Sequence, residues 1–103
     1  MANFNGLMKQ AQQMQAKMGA LQKELAVKEF EGSAGGGAVK VVVNGKQELL
    51  SLSIDKECVN PDDVEMLEEL VKTAVSQAYK TSLDSVSNAM SKVTGGLNIP
   101  GMF

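Results

Sequence analysis

Residues 31–45 read EGSAGGGAVKVVVNG, and no other stretch constrains the fold of this chain as strongly. Gly35, Gly36 and Gly37 accept positive φ without the steric cost that a Cβ brings, so the chain reverses there between two extended segments. The β-branched run that follows, Val39, Val41, Val42 and Val43, is a strand, and Asn44-Gly45 after it reads as a hairpin turn. A glycine cluster also raises the question of a phosphate-binding loop. Gly32 and Gly37 have that loop's separation, but Ala38 and Val39 occupy the positions of its Lys and Ser/Thr. A strand follows the glycines, where a phosphate cradle needs the free N–H groups of a helix start. The glycines are turn chemistry, and no dinucleotide fingerprint fits them.

The chain has 103 residues, which indicates one domain with a modest core. No segment approaches the roughly 20 apolar residues that span a bilayer, and the opening MANFNGLMKQ lacks the basic-then-apolar order of a signal peptide, so a cytoplasmic protein with no membrane partner is expected. Cys58 is the single cysteine and there is no histidine, which removes an internal disulfide and any credible zinc site. Without a histidine to activate it, Cys58 reads as an inert thiol. Asp62, Asp63, Glu65, Glu68 and Glu69 stand where a helix start uses carboxylates for capping and dipole reasons. No catalytic constellation, cofactor site or small-molecule substrate is expected, and the chain reads as a non-enzyme.

Residues 3–26 carry Phe4, Leu7, Ala11, Met14, Met18, Leu21 and Leu25 in alternating steps of three and four, the seam of a heptad helix. At about 100° per residue, Lys9, Lys17 and Lys23 fall within about 120° of one another opposite that seam, with Gln12, Gln13 and Ala16 among them. Between residues 27 and 55 the period becomes two. Val39, Val41 and Val43 share a face, Leu50, Leu52 and Ile54 share another, and an even-numbered loop places both sets on one side. A first strand over 28–32 completes a three-stranded antiparallel sheet whose other face, with Lys40, Asn44, Ser51 and Ser53, is left for solvent.

The last helix is predicted over 61–93, with Asn60 as N-cap and Pro61 at the first helical position. Its apolar stripe runs through Val64, Leu67, Leu70, Val71, Ala74, Val75 and Ala78. It then rotates to Tyr79, Leu83, Val86, Met90 and Val93, so that the first half packs on the sheet and the second half forms a coiled-coil seam. Residues 94–103, TGGLNIPGMF, read as a flexible tail. Such a helix is about 50 Å long while a strand of seven residues covers about 23 Å, so the helices overhang the sheet. An apolar seam on an overhanging arm calls for a symmetric partner. Leu7, Met14, Met18 and Leu21 of the first helix, with Leu83, Val86 and Met90 of the last, are the expected dimer seam.

The strings LMKQAQQMQAKM, EGSAGGGAVKVVVNG, IDKECVNPDDVEMLEELV and TGGLNIPGMF, in this order over nearly the whole chain, resemble the YbaB/EbfC family of small bacterial nucleoid-associated proteins. The resemblance implies an α+β fold in an intertwined homodimer with two protruding helical arms, often likened to tweezers. It also implies double-stranded DNA as ligand, a place in the nucleoid, an influence on gene expression, and recombination or replication proteins as further partners.

The charge is unusual for such a ligand. Ten lysines and no arginine stand against twelve acids, a net charge of minus 2, where a basic domain is the rule. The distribution is uneven: residues 55–69 hold seven acids and one Lys, residues 1–54 six Lys and four Glu, and residues 70–103 three Lys and one Asp. The acids gather at the base of the last helix and leave the first helix and the distal part of the last mildly basic. Lys9, Gln12, Gln13, Lys17 and Lys23, joined by Lys80 and Lys92, are the expected DNA contacts. Missing arginine removes the commonest bidentate reader of guanine, so backbone and shape recognition is expected, with Gln12, Gln13, Asn5 and Asn88 as adenine readers. The bland counterpart is a solvated helix face. The rival function is a dimeric adaptor or chaperone-like protein whose Met-rich arms grip a protein segment.

Overall fold

The computed structural model describes the backbone of residues 3–95 and the side chains of residues 4–93. Helix α1 (Asn3–Val27) leads into strands β1 (Glu29–Ala34), β2 (Val39–Asn44) and β3 (Leu49–Ile54), then a single 3-10 turn (Lys56–Cys58) and helix α2 (Val64–Gly95). The strands form one antiparallel sheet in the order β1-β2-β3. This is the α+β arrangement expected from the periodicities.

The triple glycine closes the first hairpin with φ of 65°, 68° and 96° at Gly35, Gly36 and Gly37. In the register that follows, Phe30, Gly32 and Ala34 stand opposite Val43, Val41 and Val39. These three valines are fully buried, and removing each from water contributes about 1.5–3 kcal/mol. They are covered by Ala74 and Ala78 of α2, with Leu67, Leu70, Val71, Val75 and Tyr79 around them. A Cβ on Gly32 would overlap the Ala74 carbonyl and stand 2.5 Å from the Ala78 nitrogen, so glycine here lets helix and sheet meet backbone to backbone. The Ser33 N–H, freed at that edge, donates to Gln77 Oε1 at 2.6 Å.

The second hairpin differs from the expected Asn-Gly turn. Its connection spans residues 45–48, and the positive φ, 66°, falls on Gln47 and not on Gly45. Gly45 is needed for a different reason: a Cβ there would collide with the Leu25 carbonyl of α1. Asn44, expected on the solvent face, is buried because its Oδ1 accepts the N–H groups of Lys46 (2.9 Å) and Glu48 (3.0 Å) and its Nδ2 donates to Glu48 Oε1 (2.9 Å). An irregularity between Val42 and Val43 shifts the β2–β3 register, so Leu49, in place of the expected Leu50, stands opposite Val43, while Leu52 and Ile54 oppose Val41 and Val39.

The start of α2 is likewise displaced from position 61. Asn60 Oδ1 accepts the Asp62 N–H (2.9 Å) and the Asn60 carbonyl accepts the Asp63 N–H (3.0 Å), so Asn60-Pro61 builds a turn. Asp63 then caps the helix, accepting the Met66 N–H at 3.3 Å. A local side-chain bond won over the Asn-Pro start signal. At the other end α2 continues through Thr94 and Gly95, where the sequence predicts the start of the tail; residues 96–103 lie outside the described residues.

α2 packs on β1 and β2, and α1 packs on α2 and touches β2. The chain measures 74 × 24 × 16 Å with a radius of gyration of 20.0 Å, against about 13 Å for a compact chain of this length. The helices project beyond the sheet. No helix among the described residues is long and apolar enough to cross a membrane.

Candidate nucleic-acid interface

α1 is where the cationic side chains collect. Its seam side packs increasingly toward the C-terminus: Leu7 is 62% exposed, Met14, Met18 and Leu21 are half-buried, and Leu25 is buried. The opposite side is open, with Lys9, Gln12, Gln13, Lys17 and Lys23 all exposed. A rise of 1.5 Å per residue sets Lys9 and Lys17 about 12 Å apart and Lys17 and Lys23 about 9 Å apart, so the row spans about 21 Å of arm. The first of these intervals is about the width of the major groove. Glu24 is the single acid among the three lysines of this helix.

On α2 the picture is more scattered. Lys80 and Lys92 are exposed, but they lie about 18 Å apart along the axis and about 120° apart around it. That is the same angular width as the α1 lysines cover, but α2 has no lysine between these two, and Asp84 falls within the interval. The α2 seam residues divide as well: Leu83 is 57% exposed, while Val86 and Met90 are half-buried. Asn5 and Asn88 are exposed. The acidic residues 62, 63, 65, 68 and 69 occupy the turn before α2 and its first turns, all exposed. Among the described residues no group of three or more His, Cys, Asp and Glu side chains is arranged to hold a metal ion. Cys58 is half-buried against the core cluster.

One residue that sequence reasoning passed over belongs with this surface. Lys46, exposed on the β2–β3 connection, lines an open concavity of about 490 Å³ together with Gly19, Gln22, Lys23, Ala26 and Val27 of α1. Only the tertiary contact of Gly45 with Leu25 brings that turn to the root of the arm. No spacing within the hairpin signals it.

Comparison with known proteins gives a consistent result. The profile of the YbaB/EbfC DNA-binding family matches residues 1–97. A nucleoid-associated protein of Clostridium novyi (strain NT) is 57% identical over 98% of this chain and 89% of that protein. Another, from Caldanaerobacter subterraneus subsp. tengcongensis, is 50% identical over 98% of this chain and 91% of its own length. Among solved structures, the crystal structure of an uncharacterised protein from Helicobacter pylori superposes with a TM-score of 0.75 at 25% identity, covering 89% of this chain and 97% of that one.

Proposed function

From the premise that this chain belongs to the YbaB/EbfC DNA-binding family, we propose that it is a nucleoid-associated protein that holds duplex DNA along the lysine face of α1. The observation that carries this is the unbroken exposed row Lys9, Gln12, Gln13, Lys17 and Lys23 on a projecting helix. Lysine is a point charge that pairs with phosphate without reading sequence, and phosphate contacts fix position and orientation on the duplex. With no arginine in the chain, guanine lacks its commonest bidentate reader, and recognition runs through backbone and shape. The amides of Gln12 and Gln13 supply what base reading there is. Weakly selective coverage of this kind influences gene expression by occupancy.

The working unit in this reading is a homodimer, and the role is binding without catalysis. α2 covers β1 and β2, while β3 is left bare: Leu49, Leu50 and Leu52 are 48%, 51% and 45% exposed. A second copy seated on this face shields the leucines and presents two arms to one duplex. If two lysines from each arm reach phosphate, the dimer neutralises about four phosphates and log K falls with log salt at a slope near −3.6.

The test is a titration with unrelated duplexes at two salt concentrations. Lys9→Gln, Lys17→Gln and Lys23→Gln combined are expected to lower affinity about equally for every duplex and to flatten the slope by about one unit for each phosphate no longer neutralised. Circular dichroism should stay unchanged, since these side chains are exposed. Equal affinity and slope in the triple variant would reject this surface. No salt-dependent binding by the unaltered protein would reject the DNA reading and leave a protein-gripping adaptor.

A further inference from the structure

The concavity at the root of the arm extends the cationic surface beyond the helices. It joins Lys23 of α1 to Lys46 of the β2–β3 connection, residues 23 positions apart in sequence, across a floor of Gly19, Gln22, Ala26 and Val27. Lys46 stands on a turn that is fixed from three sides. Its own N–H is bonded to Asn44 Oδ1 at 2.9 Å. Gly45 lies flush on the Leu25 carbonyl, which ties the turn to α1. Ser82 Oγ, fully buried in α2, donates to the Asn44 carbonyl at 2.9 Å and accepts from Gln47 Nε2 at 2.7 Å. The turn is a joint between both helices and the sheet, so the base of Lys46 is held at a set place beside Lys23 before any ligand arrives. Glu48, the nearest acid on the same turn, has its carboxylate engaged by Asn44 Nδ2.

We infer that Lys46 is a DNA-backbone contact that continues the α1 lysine row into the body of the protein. A phosphate of the duplex lying along the arm is received in the concavity between Lys46 and Lys23. This rests on the DNA reading above and adds to it a fixed point. The arm lysines follow the duplex, and Lys46 sets how far along the arm the duplex seats.

Lys46→Gln tests it, with Lys56→Gln as control. Both remove one positive charge, but Lys56 lies past the far end of β3 from the turn, about 20 Å away along a six-residue strand. Lys46→Gln is expected to flatten the salt slope by about 0.9 for each phosphate that Lys46 neutralises, so that between 200 and 50 mM salt the unaltered protein gains about 3.5-fold more affinity than the variant where one Lys46 of the dimer meets a phosphate and about 12-fold more where both do. Lys46→Arg should restore most of the binding and Lys56→Gln should leave the slope in place. Equal slopes for Lys46→Gln and the unaltered protein, while the α1 triple variant is weakened, would overturn the Lys46 contact and leave the α1 surface standing. The same flattening in Lys56→Gln would also overturn it, because net charge alone would then explain the effect. If the unaltered protein binds no duplex, both readings fall together.

Discussion

Ser82 shows how much of this fold rests on a polar residue with no sequence signature. It is fully buried, on a helix face that otherwise carries alanines and aliphatics, and it satisfies the Asn44 carbonyl and Gln47 Nε2 at once. Gln47 needs that help. Its φ of 66° lies in the left-handed region, where a residue with a Cβ is costly by about 1–2 kcal/mol. Ser82→Ala is therefore expected to cost about 1 kcal/mol, because it removes two hydrogen bonds, although the Asn44 carbonyl keeps the Gln47 N–H at 3.1 Å. A urea titration followed by circular dichroism measures it, and an unchanged midpoint would refute the role. The triple glycine was legible in the sequence since its conformation is a local matter. Asn44-Gly45 was not, because what Gly45 avoids is the Leu25 carbonyl, twenty residues upstream and on another element.

Among the elements, periodicity carried most of the reading and boundaries carried least. The step pattern from Phe4 to Leu25 marks one face of α1, and the structure grades that face from exposed at Phe4 and Leu7 to buried at Leu25. Spacing cannot reveal such a gradient, since it depends on how far α2 and β2 extend beside the helix. The β2–β3 irregularity escaped for a similar reason, as one inserted residue moves Leu49 into the place expected of Leu50 without disturbing the alternation. At the start of α2, Asn60 and Asp63 both have capping chemistry, and the bonds assign the cap to Asp63. Asp63→Ala should lower stability by about 1 kcal/mol, read as a fall of several degrees in melting temperature. Asn60→Ala should cost less, as it breaks a turn outside the helix. The reverse order would return the cap to Asn60.

For the whole molecule, the governing fact is that a 103-residue chain stretches over 74 Å. A shape so drawn out cannot shield its apolar residues alone, and the exposed set is correspondingly large: Phe4, Leu7 and Met8 at the arm tip, Leu49, Leu50 and Leu52 on β3, and Leu83 midway along α2. Soluble monomers seldom present such surfaces without a partner. Leu52 is the most direct probe of the proposed dimer. It is paired with the fully buried Val41 and shares its sheet face, but on β3, beyond the cover of α2, it is 45% exposed, so a lysine there is tolerated in one chain and stranded under a second. An unpaired charge buried in an interface costs about 3–5 kcal/mol, which raises the dissociation constant by roughly two to three and a half orders of magnitude. Sedimentation is expected to show a dimer for the unaltered protein at micromolar concentration and a folded monomer for Leu52→Lys. DNA binding should weaken with it even though every arm lysine is retained, because two arms on one duplex gain from effective concentration and one arm does not. A monomer for the unaltered protein would reject the dimer. A Leu52→Lys monomer that binds as tightly as the parent would show that the arms act singly.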